Sequence, residues 1–238
     1  DVTPELADSI RRGIDFLEER SRFYLKVVTS DETFLGRTRN VGTMTKEQAL
    51  ELGAVGPTAR ASGVTMDLRV DAPYGGYVDF PVSAVVEQDG DLAARFVVRI
   101  KELFESIRVI REILDHLPEG ELTARVPRRI PPNEAIIRLE APRGELFYFL
   151  KSNGTDQPER LKIRTPSLCN WASVMQLAVG HKLADMPMML VGIDPCFSCN
   201  DRLFTIKKPG VGRTNSEEVW TWEDLRLYGI DYYRRRAI

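Results

Sequence analysis

The chain has 238 residues, 43% of them hydrophobic and 29% charged, with 33 basic against 35 acidic side chains and a formal net charge of -2. That length can bury one large core or two small ones, and the near-balance of charge gives no basic excess that would point to nucleic acid and favours an ordinary globular protein. Three cysteines, Cys169, Cys196 and Cys199, are odd in number and too few for a disulfide scaffold, so a reducing, cytoplasmic compartment is expected.

The sequence opens at Asp1 and shows no charged-then-apolar leader, which reads as a trimmed chain or a fragment of a longer one. Thr3-Pro4-Glu5 is a helix start: a hydroxyl cap, proline at the first helical position, then an acid. Leu6, Ile10, Leu17, Tyr24 and Val28 follow on one face at helical spacing. A second helix is predicted from Lys46 to Leu52, ending at Gly53. A glycine- and proline-rich stretch from Gly56-Pro57 through Gly63 to Gly75-Gly76 reads as ordered loop, because it still holds Val55, Val64, Phe80 and Val82.

The clearest helix runs from about Asp91 to His116. Leu92, Phe96, Ile100, Leu103, Ile107, Ile110 and Leu114 recur at three- and four-residue steps and predict one buried stripe. Leu117-Pro118-Glu119-Gly120 ends it, and Pro127 to Pro132 is a linker. Ala135 to Glu140 and Glu145 to Lys151 are predicted strands around Pro142-Arg143-Gly144, with Leu161 to Thr165 as a third. Ser167 to Val179 is a short helix stopped by Gly180. The longest apolar run, Met186 to Ile193, is too short to cross a bilayer, so any membrane link is expected to come through partner proteins. A polar tail from Leu203 to Ile238 carries a strand and a short amphipathic helix.

The chemistry concentrates in Asp194-Pro195-Cys196-Phe197-Ser198-Cys199. Two residues between cysteines let both sulfurs face one metal or each other, and soft thiolates suit nickel, zinc, copper(I) or iron–sulfur clusters. Half of a zinc site, a redox pair and two buried thiols remain open on the CxxC alone. A zinc site needs four ligands. Cys169 and His181 match no zinc-finger spacing, and His181, just past a helix stop, reads as a surface or capping residue.

With its neighbours, Asp194-Pro195-Cys196-Phe197-Ser198-Cys199-Asn200-Asp201-Arg202 resembles the C-terminal metal-binding motif of [NiFe] hydrogenase large subunits. Arginine at Arg202 is similar to the membrane-bound, energy-converting branch that includes formate hydrogenlyase. Glu140-Ala141-Pro142-Arg143-Gly144 resembles the family's arginine loop, and Thr165-Pro166-Ser167 its proline–serine turn near iron. Gly56-Pro57, Arg60-Ala61-Ser62-Gly63, and Gly90-Asp91 leading into Arg95, Arg99 and Glu102 resemble the same branch. They also resemble the quinone-site subunit of respiratory complex I, a relative without the metal. The resemblance spans nearly all of residues 5 to 202.

The resemblance implies an α+β, mainly helical fold, a bundle of long helices with a small antiparallel sheet. It divides the chain into residues 1–120 (helical bundle with Gly/Pro-rich loops), 121–202 (small sheet and CxxC region) and 203–238 (C-terminal extension). It implies a Ni-Fe centre whose iron carries carbon monoxide and cyanide, with Cys196 a terminal nickel ligand and Cys199 a bridging one. Ser167 would donate to a cyanide, unless it is a plain helix cap, with Pro142 beside it. Arg143 would stand over the open coordination site as an electrostatic and positioning group, held by Asp194. The reaction implied is reversible reduction of protons to hydrogen.

The partners implied are an iron–sulfur small subunit as electron donor, membrane ion-translocating subunits, and nickel-insertion and endopeptidase maturation factors that cut after Arg202, all at the inner face of the cell membrane. Arg60, Arg95, Arg99 and Glu102 are expected to form buried ion pairs without a catalytic role. The family's N-terminal CxxC is absent, so the ligand set is incomplete. An apo, inactive chain is expected in isolation. Two alternatives stand beside this reading: a non-catalytic complex I-like quinone-site or scaffold subunit, and a structural zinc-binding module.

Overall fold

The computed structural model describes residues 2–117, 120, 123–201, 204–206, 218–220 and 222–235. Its contacts divide the chain into two units, Asp1–Cys199 and Asn200–Ile238. The fold is mainly helical with a small antiparallel sheet, as the resemblance implies.

In the first unit, α1 (Pro4–Ser30) starts where the sequence places it: Thr3 Oγ1 accepts from Leu6 N at 3.3 Å, with proline in the first turn. After α2 (Glu32–Thr38), α3 (Lys46–Glu51) opens on a capping box between Thr45 and Gln48. Two single-turn helices follow, α4 (Pro57–Arg60) and α5 (Leu68–Asp71), and then α6 (Leu92–Asp115). Asp91 caps α6 by accepting from Ala94 N and also accepts from Asn40 N, so one carboxylate sets the helix start and ties it to the loop after α2. Helices α1 and α6 lie side by side. Arg11 pairs with Asp115 at 2.8 Å, and Arg111 reaches Asp15 at 2.7 Å and Glu18 at 2.6 Å, so the two run antiparallel. These solvent-screened pairs set register and add little stability.

The buried stripe of α6 matches the predicted one only in part, and the apolar face of α1 is only partly covered. On α1 the buried positions are Ile14, Ser21 and Val28, whereas Leu17 and Tyr24 are 55% and 50% exposed. On α6 the core takes Leu92, Ala94, Arg95, Val98 and Ile107, while Leu103 and Ile110 face outward. The reason is close packing at the start of α6: Ala94 and Val98 form a cluster with Ala61, just after α4, and such an approach needs small side chains. A pattern of large residues does not report it.

Three strands follow: β1 (Asn133–Ala141), β2 (Gly144–Ser152) and β3 (Arg160–Arg164), antiparallel in the order β1-β2-β3. Ala141 pairs with Gly144, so Pro142 and Arg143 form a two-residue hairpin turn. Helix α7 (Pro166–Leu177), α8 (Met186–Gly192) and the single turn α9 (Phe197–Asn200) complete this part of the chain. Helix α8 is seated against α6: Met189 is buried, and a Cβ on Gly192 would stand 2.4 Å from Leu92 Cδ2. That contact delivers buried Ile193, and then Asp194 and the CxxC, to the hairpin turn.

In the second unit β4 (Phe204–Ile206) pairs antiparallel with β5 (Glu218–Trp220), followed by α10 (Trp222–Arg234). Pro118, Glu119 and Arg202 lie outside the described residues. Among the described residues no helix is long and apolar enough to cross a membrane.

Candidate functional site

The site is built where the β1–β2 turn meets the loop after α8. Arg143 Nε donates to the Asp194 carbonyl at 2.9 Å and Nη2 donates to Asp194 Oδ1 at 3.0 Å, with Oδ2 also 3.0 Å from Nε. A planar guanidinium thus grips both the backbone and the carboxylate of one residue. Asp194 adopts φ +53°, a left-handed conformation uncommon for a non-glycine residue, which brings its carbonyl and carboxylate to the same side.

The turn is held from behind. Gly56 and Gly144 have φ +63° and +123°. A Cβ on Gly144 would meet Gly56 N at 2.6 Å, and one on Gly56 would meet the Arg143 carbonyl at 2.5 Å. Backbone therefore lies on backbone here, which only glycine allows. Asn170, fully buried on α7, seals the contact. Its Oδ1 accepts from Val55 N at 2.9 Å, and its Nδ2 donates to Val55 O and Arg143 O, both at 3.3 Å.

The CxxC stands beside this turn, half-buried. Cys196 N donates to Ser167 Oγ at 3.1 Å, and Thr165 Oγ1 donates to the Cys199 carbonyl at 2.8 Å. Ser167 is thus not the cap of α7. It is a fully buried acceptor that positions the first cysteine, while Thr165 positions the second. Hydrogen bonds from the backbone and thiol of Cys199 hold the Cys196 thiol below the usual thiol range, and the Arg143 charge adds to this. Burial pushes the Cys169 thiol up, and His181 is exposed. Pro142 forms the first half of the turn and is exposed. The structure thus gathers Arg143, Asp194, Cys196, Cys199 and Ser167. Asn170 escapes sequence reasoning, its one local signal being an amide within an apolar helical segment, and Thr165 enters there only as part of the Thr165-Pro166-Ser167 motif, without a role.

The donor set among the described residues is two thiols. Two thiols converge, and among the described residues no group of three His, Cys, Asp or Glu side chains could hold a metal ion. A Ni-Fe centre is therefore not fitted by the described residues alone.

Behind the turn lies a charged network. Arg60, buried, donates to Glu102 Oε1 from Nη2 at 2.7 Å and to Glu140 Oε1 from Nη1 at 2.8 Å, and Asp67 lies 3.4 Å away. Burial works against the Arg60 charge, but Glu102, Glu140 and Asp67 outweigh it and raise its pKa. Burial pushes Asp67 up, but hydrogen bonds from Arg69 and the Arg60 charge leave it below the ordinary carboxylate range. The Glu140 carboxyl is pushed up by burial, which exceeds the pull of Arg60. The expected ion pair of Arg60 with Glu102 is present. Those of Arg95 and Arg99 are not: Arg95 Nη2 donates to the Gly42 and Gly90 carbonyls, and Arg99 Nη1 donates to the Arg95 carbonyl. Their donated hydrogen bonds among the described residues go to backbone carbonyls, although Asp194 and Glu102 lie near enough to attract the Arg99 charge.

Comparison with known proteins places these residues in context. The chain matches the family described as the 49 kDa subunit of respiratory-chain NADH dehydrogenase, over residues 1–133 and 125–202. It is 39% identical over 173 residues to the carbon monoxide-induced hydrogenase of Rhodospirillum rubrum, covering 73% of this chain and 48% of that protein. It is 36% identical over 204 residues to an NADH-quinone oxidoreductase subunit of Clostridium beijerinckii, covering 85% and 55%. Among solved structures it is similar to a chain of the membrane-bound sulfane sulfur reductase, an archaeal respiratory membrane complex, with a TM-score of 0.78 and 31% identity over 84% of this chain and 56% of that one. The chain spans about half the length of the curated relatives it matches.

Proposed function

The chain belongs to the family of the 49 kDa subunit of respiratory-chain NADH dehydrogenase, and from that premise we propose that it is part of the membrane-peripheral core subunit of a membrane-bound electron-transfer complex. Its partners would be an iron–sulfur subunit that supplies electrons and membrane subunits that move ions. The relatives carry this reading. Several are subunits of NADH-quinone oxidoreductases, and the structural neighbour belongs to a respiratory membrane complex. They favour a quinone-site or scaffold role over hydrogen chemistry. The test is electron transfer from the purified complex to a soluble quinone analogue; a complex with no such activity, in which hydrogen evolution is intact, overturns the quinone-type role.

A second reading, the catalytic subunit of a hydrogenase, is favoured by one observation. Cys196 and Cys199 stand together beside Arg143 and Asp194, and Ser167 and Thr165 hold each cysteine by its backbone. A subunit without a metal has no need of that arrangement. A relative named as a hydrogenase, at 39% identity, agrees. On this reading the two thiolates provide half of the ligands of a Ni-Fe centre, and the remainder come from polypeptide beyond the described residues. Arg143 supplies positive charge at the open side of the site and Asp194 fixes its orientation. Nickel and iron together in the purified complex support this second reading, and their joint absence removes it.

A further inference from the structure

Arg99 is anchored by one of its three nitrogens. Nη1 donates to the Arg95 carbonyl at 3.0 Å, while Nε and Nη2 are buried and have no hydrogen-bond partner among the described residues. The side chain lines a cavity of about 410 Å³ whose walls include Arg60, Glu102, Glu140, Pro142 and Asp194. The other cations of the cavity wall are paired, Arg60 with Glu102 and Glu140 and Arg69 with Asp67, as is nearby Arg143 with Asp194; Arg95, one turn earlier and outside the wall, keeps one unmet nitrogen, Nε. Buried guanidinium nitrogens without acceptors are costly, about 1–3 kcal/mol for each unmet group and more when charged. Burial holds the Arg99 pKa down to about 10, the attraction of Asp194 and Glu102 notwithstanding, so the group keeps its charge at neutral pH.

We propose that this cavity is a carboxylate-binding site in which Arg99 Nε and Nη2 grip the two carboxylate oxygens side by side. Nε–H and one Nη2–H point along one edge of the guanidinium plane and match two oxygens on one carbon. Glu102, Glu140 and Asp194 in the same wall limit the occupant's charge, so a planar monoanion fits and a dianion is repelled. The carboxylate belongs either to a small solute or to an Asp or Glu side chain of an associating polypeptide. The site rests on the cavity and Arg99, whichever electron acceptor the complex uses.

The test is NMR of the ¹⁵N-labelled chain, following arginine Nε–Hε signals. Acetate is added against chloride and sulfate at matched ionic strength. One signal, identified by its loss in Arg99→Lys, is expected to shift saturably with acetate alone. Arg99→Lys keeps the charge but loses the paired donors, and should weaken acetate by about tenfold or more, read from the backbone amide shifts of cavity-lining residues, which report occupancy in every variant. Ser106→Trp, at an exposed position that lines the cavity, should also weaken it with Arg99 intact, and decides the matter should the Arg99 variant not fold. Tighter binding of N-acetylglutamate amide than of acetate assigns the carboxylate to a protein side chain, and the reverse assigns it to a small solute. No saturable shift with either, an equal response to chloride, or affinity unchanged in both variants overturns the proposal.

Discussion

Asn170 binds Val55 through both of that residue's backbone polar groups, accepting from its N–H at 2.9 Å and donating to its carbonyl at 3.3 Å across 115 positions of sequence. A single buried amide thereby fastens α7 to the loop that carries Gly56, and through its bond to the Arg143 carbonyl it fixes the turn that aims the arginine. Asn170→Ala leaves two buried backbone groups of Val55 and the part-buried Arg143 carbonyl unmet and should cost about 2–4 kcal/mol. Urea unfolding of the variant measures this; a loss under about 0.5 kcal/mol contradicts the role given to Asn170.

The contact of Gly56 with Gly144 predicts a contrast between glycines. Gly144→Ala places a Cβ 2.6 Å from Gly56 N and should destabilise the chain by several kcal/mol, about 3 or more. Gly53→Ala meets nothing within 4 Å at φ +65° and should cost only the strain of a left-handed residue, about 1 kcal/mol. Thermal melting of the two variants side by side ranks them; equal losses would show that the turn is not clamped.

Acid should loosen the sheet through Glu145. Burial raises its pKa, but hydrogen bonds from Arg138 and Arg164 outweigh burial and leave it below the ordinary carboxylate range. A lowered folded-state value contributes stability that is present above the unfolded pKa and is lost as pH falls through the folded one. Glu140 runs the other way. Burial raises its pKa, so stability falls as pH rises from the ordinary value through the raised one. Melting temperature between about pH 5 and pH 3 should drop less steeply in Glu145→Gln than in the unaltered chain. An identical acid limb would show that Arg138 and Arg164 do not stabilise the ionised carboxylate.

Much of the frame is legible in the sequence, because caps and hairpins are local. Thr3-Pro4, Asp91 and Pro142-Arg143-Gly144 lie where the elements begin or turn. The site is less legible. Ser167 is named by resemblance alone and Thr165 only as part of the same motif, and their hydrogen bonds to Cys196 N and the Cys199 carbonyl are visible only in the fold. Arg95 and Arg99 read as ion-pair partners of Glu102 at helical spacing, yet Glu102 is taken by Arg60 from 42 residues away. Leu103 and Ile110 of α6 read as core because periodicity shows which side is apolar, not whether anything packs on it.

The cysteines separate the two functional readings. In the assembled complex, Cys196→Ser and Cys199→Ser should leave electron transfer to a quinone analogue within about twofold of normal on the quinone-type reading, as no cofactor depends on them. On the hydrogenase reading each substitution abolishes hydrogen evolution and lowers the nickel content. Activity of both variants, measured beside nickel by elemental analysis, decides between them.

Membership of a membrane electron-transfer complex is tested most directly by native isolation through this chain. A tagged full-length protein is recovered from detergent-solubilised membranes, and its companions are identified by mass spectrometry and by iron and sulfide content. Recovery of one large assembly that holds an iron–sulfur subunit and several strongly hydrophobic subunits is the predicted result. Recovery of the protein as a lone soluble species, without iron–sulfur or membrane companions, contradicts it.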